Sequence, residues 1–207
     1  MRSNQQPVNA RGRRTRAALL TTARSILQAA GFPALTMAAV AERAGVSRRA
    51  VYLHFSSRAD LVAALFQFAG ESEGLADSLR PVWEAPDAVT ALDQWARHLA
   101  RYHPRLLAVD RAIESVRRTD PDAARYRDRV RQAQYGTCRT LATRLEQERR
   151  LAAPWTVETA ADMLLALIST DMIETLLVDR RWSHKRLGDH LALLFRSAFV
   201  RDPATTS

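Results

Sequence analysis

An all-α fold is the expectation for this chain, and three observations carry it. Alanine, leucine and arginine dominate a sequence that is 47% apolar with only seven glycines, a composition of good helix formers. Apolar residues recur three and four apart, whereas strand-like alternation of β-branched residues is scarce. Prolines and glycines punctuate the chain at helix-sized intervals. The 207 residues suffice for a sizeable core. The expected architecture is an N-terminal three-helix domain holding a helix-turn-helix, followed by a domain of roughly six helices.

The first helix is expected over 13–30, with Leu19, Ala23, Ile26, Leu27 and Ala30 on one face and Gly31 closing it. Phe32 then plugs the gap to the next two helices. Thr36 and Ser47 stand where side-chain oxygens cap the second and third helix starts, and the third ends near Phe55. Ser56 or Ser57 caps a long fourth helix, predicted through Leu61, Leu65 and Phe68 to Leu79, with Pro81 as its stop. Pro86 opens a helix carrying Val89, Leu92, Trp95, Leu99 and Tyr102. Pro104 starts a shorter one that ends at Asp120-Pro121. Pro121 opens a long helix through Tyr126, Val130, Leu141 and Leu145. Pro154 opens the eighth, to Val178, and Ser183 caps the ninth, to Val200. The expected domains are a flexible basic arm over 1–12, a helix-turn-helix domain over 13–57, and a ligand-binding and dimerisation domain over 58–207.

The stretch from Thr36 to Phe55, TMAAVAERAGVSRRAVYLHF, is the most informative. Ala41, Gly45 and Val51 have the spacing that two short, steeply crossing helices need. Ala41 is small enough for a close approach, Gly45 can take the positive φ of the turn, and Val46 and Val51 anchor the second helix from beneath. Arg48 and Arg49 open that helix, the place from which side chains enter a DNA major groove. An ordinary helical hairpin is the alternative, and charge argues against it. Residues 1–60 hold ten Arg against Glu42 and Asp60, or +8, while the remaining 147 residues are nearly neutral at +1. A basic module beside a neutral one marks the end that meets phosphates.

Other function classes lack their signatures. Cys138 is alone, so neither an internal disulfide nor a cysteine metal cluster is available. The five histidines include no His-x3-His pair. No cofactor is expected. The N-terminus lacks the apolar stretch of a secretion signal, and no run of about eighteen apolar residues exists to span a bilayer. A cytoplasmic protein with no membrane partner is the expectation. An all-α enzyme is the reading from another class, but no Ser/His/Asp constellation or glycine-rich phosphate loop supports it. An effector-independent helix-turn-helix protein is a further alternative.

The run Thr36-x3-Val40-Ala41-x2-Ala44-Gly45-Val46-Ser47-x3-Val51-Tyr52-x-His54-Phe55, then Ser57-Arg58-x2-Leu61, resembles the DNA-binding domain of the tetracycline-repressor (TetR) family of bacterial regulators. The rest of the chain resembles the family only in helix count, length and the Trp182-Ser183 start of the last helix. The resemblance implies a homodimer that binds a near-palindromic operator and is released by a small molecule in its C-terminal domain. It implies that Thr36 and the start of the second helix meet a phosphate, and that Ser47, Arg48 and Arg49 begin the recognition helix, where an Arg can take guanine O6 and N7 together. Tyr52 and His54 match positions that hold the phosphate backbone, although Tyr52 can also pack against Phe55. Arg58 stands where the family usually has Lys and is expected to keep a phosphate partner. Arg49 stands where the family often has a small residue; it adds a base or phosphate contact, or points into solvent. Arg11, Arg13, Arg14 and Arg16 are expected on phosphates or an adjacent minor groove.

The eighth helix is apolar nearly all round from Ala160 to Ile168, and the ninth carries a stripe through Leu187, Leu191, Leu194, Phe195 and Phe199. Leu164, Ile168, Leu191, Leu194, Phe195 and Phe199 are therefore expected at a four-helix dimer interface, with burial inside one chain as the alternative. Trp95, His98, Tyr102, Tyr135 and Cys138 are candidates to line an effector cavity, which favours a hydrophobic or aromatic ligand. Asp171 falls on an apolar face and needs a partner, an Arg or the ligand. Gly70 and Gly74, one turn apart in the fourth helix, are either a bending point or a site of close packing.

Overall fold

The computed structural model describes residues 10–201, the side chain of Phe66 excepted. In chain order the helices are α1 (Ala10–Ala30), α2 (Met37–Arg43), α3 (Arg48–Tyr52), α4 (Arg58–Ser72), α5 (Leu75–Trp83), α6 (Ala88–Tyr102), α7 (Leu107–Glu114), α8 (Pro121–Gln147), α9 (Val157–Ala166), α10 (Thr170–Glu174) and α11 (His184–Phe199). The fold is all-α: among the described residues, extended pairing is limited to one bridge between Leu151 and Val200. The chain divides into two compact units, one formed up to Ser72 together with Ala108–Arg127, the other by Glu73–Leu107 and the chain from Asp128 onward. The division differs from the boundary expected at 57/58, because α4 packs on α1 and belongs with the helix-turn-helix.

The first unit closes around Leu19, Leu27, Phe32, Val51, Phe55, Leu61 and Leu65, all fully buried. Burial of each such side chain stabilises by about 1.5–3 kcal/mol. Phe32 sits in a 3-10 turn over Phe32–Ala34 and is fully buried, as its position between the first three helices predicts. The α1 stripe shifts slightly: Leu20 is buried with Leu19, Ala23, Ile26 and Leu27, while Ala30 is exposed. The helix is already formed at Ala10, so residues 10–12 of the expected arm are helical; the rest of that arm lies outside the described residues.

The second unit is built on α6, which packs against α5 and α11. Ten of its fifteen residues are buried, from Ala88 to Tyr102, so it is the central element of that unit. Asp87 caps it, its carboxylate accepting from the Thr90 N–H at 2.8 Å. Gly188 faces α6, where a Cβ would stand in ordinary contact at 3.4 Å from the Ala100 methyl and 3.5 Å from the Arg97 Cα. Beside it, the buried Asp93 carboxylate accepts from Nε of Arg196 at 2.7 Å and from its Nη2. A buried carboxylate requires such a partner.

Two helices predicted as continuous are broken. The fourth stops at Ser72, and α5 restarts after Gly74, whose φ of +69° is left-handed. Pro81 lies inside α5 rather than ending it. The predicted eighth stops at Ala166; Ser169 then caps α10 by accepting from the Met172 N–H at 3.3 Å. Thr156 caps α9 with Thr159 in a reciprocal capping box.

Candidate nucleic-acid interface

The turn between α2 and α3 is set by three features of the sequence. Thr36 Oγ1 accepts from the Ala39 N–H at 3.0 Å, and Ser47 Oγ from the Ala50 N–H at 3.2 Å, so both helix starts are capped by the predicted side chains. Gly45 has φ +65°, and a Cβ there would meet nothing within 4 Å. Backbone conformation, not space, demands the glycine. The Val46 N–H closes the turn on the Ala41 carbonyl at 3.0 Å.

On α3 the inward and outward faces separate cleanly. Val51 and Phe55 are fully buried, whereas Ser47, Arg48, Arg49, Tyr52 and Leu53 are exposed. Four-residue spacing places Arg48 with Tyr52 in one row and Arg49 with Leu53 in the next. Thr36, Arg11, Arg13 and Arg14 are also exposed.

Arg58 and Arg16, both expected at phosphates, are held by the first unit itself, and His54 is partly withdrawn from solvent. Arg58, expected at a phosphate, is engaged inside the first unit. Its Nε donates to the Leu35 carbonyl at 2.7 Å and Nη2 to the Phe32 carbonyl at 3.1 Å. Nη1 reaches Asp120 at 2.9 Å and Asp122 at 3.2 Å, and the guanidinium lies 4.5 Å from the Phe32 ring centroid. Every nitrogen has a protein partner, so the residue clasps the 3-10 turn and the start of α8. Arg16, expected in the basic arm, donates to the His54 carbonyl at 2.9 Å and covers the Phe55 ring. His54 is half-buried with its Nδ1 unpartnered; desolvation, reinforced by Arg16, lowers its pKa below 6.5. Sequence could not signal the clasp, because Asp120 lies 62 residues from Arg58.

In the second unit, Trp95, His98 and Tyr102 form a column along α6, with ring centroids 5.0 and 5.1 Å apart and planes 17° from parallel. Nδ1 of His98 lies 2.8 Å from Ser78 Oγ. Burial holds the His98 pKa down to about 3, with help from His103 and Arg101. The buried Trp95 Nε1 has no hydrogen-bond partner. Cys138 is buried and its thiol is pushed up to about 12 by desolvation, so it is unreactive. Tyr135 is half-buried against the same core. Asp171 is exposed on the first turn of α10. The break after Ala166 resets the helical phase, which removes Asp171 from the apolar face on which a continuous helix would have placed it. A groove of about 540 Å³ runs along α8 past Gly136, Arg139, Thr140 and Thr143. None of the predicted lining residues borders it.

The dimer stripe is also redistributed. Leu164, Ile168, Leu191, Phe195 and Phe199 are buried in the core of their own chain. Of the six expected interface residues, Leu194 remains exposed, together with its neighbour Leu193 and with Met163 on α9. A single chain can therefore satisfy most of a stripe that sequence alone could assign to a partner.

An all-α protein with a capped helix-turn-helix and a basic outward face belongs to the class of helix-turn-helix DNA-binding proteins. Residues 19–65 match the profile of a family described as bacterial regulatory proteins, tetR family. A comparison with curated proteins found no match. Among solved structures, a Rhodococcus protein described as a TetR-family transcriptional regulator is similar over 89% of this chain and 97% of its own, at 17% identity and a TM-score of 0.70. NalD of Pseudomonas aeruginosa, the secondary repressor of the MexAB-OprM multidrug efflux pump, is similar over 92% and 98%, at 23% identity and a TM-score of 0.66. SmeT in complex with triclosan is similar over 93% and 95%, at 18% identity and a TM-score of 0.70. The structural likeness shows the fold alone, and the family match is confined to residues 19–65. The helix-turn-helix module, residues 19–65, is similar to that of the tetR family of bacterial regulatory proteins.

Proposed function

We propose that the protein is a repressor that binds a near-palindromic operator as a homodimer and is released by a small hydrophobic or aromatic molecule. The observation that carries the DNA-binding part is the outward face of α3, where Arg48, Arg49 and Tyr52 stand exposed over a fully buried Val51 and Phe55. Side chains so placed reach base edges and phosphates while the helix stays anchored. The recognition set is Ser47, Arg48, Arg49 and Tyr52, supported by Thr36 at the start of α2, by His54, and by Arg13 and Arg14 on α1.

Homodimerisation is supported by the exposed Leu193, Leu194 and Met163, since one helix-turn-helix covers only a half-site. An apolar effector is supported by the aromatic column of Trp95, His98 and Tyr102 with its unpartnered indole N–H. The triclosan bound by SmeT, a protein of the same fold, agrees with that chemistry. Selection of duplexes from a randomised pool with the full-length protein tests the reading. One enriched, near-palindromic sequence is expected, and Arg48→Ala should bind it more weakly by about 1–3 kcal/mol while relaxing one base position. Enrichment of no sequence, or unchanged binding by Arg48→Ala, would overturn it.

A further inference from the structure

Leu53 is 77% exposed, and no other exposed large apolar side chain among the described residues reaches that figure. It is also held in place. The residue is the C-cap of α3 with helical φ and ψ of −67° and −24°, and its N–H donates to the Arg49 carbonyl at 3.0 Å. The leucine therefore belongs to a fixed helical turn, one turn beyond Arg49 and adjacent in sequence to Tyr52.

Its neighbours decide what it meets. Ser47, Arg48, Arg49 and Tyr52 share the outward face of α3, in a module whose first 60 residues carry ten Arg against two acids. That surround of cations and a phenol does not suit an apolar protein surface, because docking there would strand arginines. A DNA major groove accepts both kinds of side chain. It offers acceptors to arginine and one apolar group on a base edge, the C5-methyl of thymine.

We infer that Leu53 is a specificity-determining residue that packs on the C5-methyl of a thymine in the operator major groove. The inference rests on the DNA-binding reading above and adds to it a preference at one base pair. Four residues of helix rise separate Leu53 from Arg49 by roughly 6 Å, or about two base-pair steps. The thymine accordingly lies about two pairs from the one that Arg49 faces.

The test uses the full-length protein and the duplex it enriches from a randomised pool. Each thymine is replaced in turn by deoxyuridine, which removes only the methyl group, and affinities are measured for wild type, Leu53→Ala and Leu53→Met. At one position per half-site the wild type should lose roughly four-fold, the effect of one buried methyl group. At that position Leu53→Ala should show no response to the methyl, and Leu53→Met should recover most of it. Affinity for a scrambled duplex should be equal in all three proteins, which a misfolded variant would not achieve. Equal responses of wild type and Leu53→Ala at every thymine would overturn the inference while leaving DNA binding intact. Failure of the wild type to enrich any duplex would overturn both.

Discussion

At the level of single residues, the largest revision concerns Arg58. Sequence position places it at a phosphate, whereas its guanidinium holds the Phe32 and Leu35 carbonyls, Asp120 and Asp122. A planar fork serves these partners at once; an ammonium cannot. Arg58→Lys should therefore lower unfolding stability by about 1–3 kcal/mol in urea melts. In Arg58→Gln, which removes the charge, the salt dependence of operator affinity should stay that of wild type, whereas loss of a phosphate contact would reduce its slope by about one. His98 supplies a pH test. Its folded pKa of about 3 lies below the usual 6.5, so between those values the unfolded chain binds the extra proton. Stability then rises with pH across that window and is lost as pH falls through it. Asp110, raised to about 6 by burial, acts with the opposite sign between its ordinary 3.8 and 6. The two oppose each other in wild type, so the difference between proteins carries the information. His98→Gln should reduce the slope of stability against pH by about 1.4 kcal/mol per unit between pH 4 and 6. Parallel wild-type and variant curves would contradict the burial argument.

At the level of elements, the helix-turn-helix was legible because its determinants are local. Thr36 and Ser47 are three residues from the N–H groups they cap, and Gly45 needs only its own φ of +65°. The two broken helices were not legible for the opposite reason. Nothing in the apolar run from Ala160 to Ile168 forces a stop. The interruption comes from Ser169, whose hydroxyl offers the Met172 N–H an alternative partner. In the fourth helix, Gly70 and Gly74 were both visible, but only Gly74 takes a left-handed φ. Whether a glycine bends a helix is a tertiary decision. Gly45 allows a clean measurement of local conformation against packing. With no atom within 4 Å of the added Cβ, Gly45→Ala introduces strain without a clash and should cost about 1–2 kcal/mol of stability. Gly45→Asn should recover part of that loss, since asparagine tolerates the left-handed region. A loss above about 4 kcal/mol for alanine would mean that the turn is constrained by contacts as well as by φ.

For the whole molecule, the charge excess falls on the end that carries the helix-turn-helix, but the apolar stripe of the last helix did not foretell what it packs against. Leu187, Leu191, Phe195 and Phe199 repeat every four residues, and that spacing is the same whether the partner is α6 of the same chain or a second chain. The structure assigns them to the chain's own core, where α11 lies on α6. Two variants one residue apart should consequently behave differently. Phe195→Glu buries a carboxylate among apolar groups and should unfold the second unit, seen as loss of the cooperative thermal transition. The double variant Leu193→Glu, Leu194→Glu alters side chains that are 64% and 45% exposed and should keep the wild-type helical circular dichroism. If the exposed pair lies in the dimer interface, light scattering at micromolar concentration should show a dimeric wild type and a monomeric, folded double variant. Operator affinity should fall with it, because two recognition helices must span half-sites about one helical turn, roughly 34 Å, apart. A double variant that remains dimeric would place the two-fold contact elsewhere on the chain, and a monomeric wild type would remove the basis for a palindromic operator.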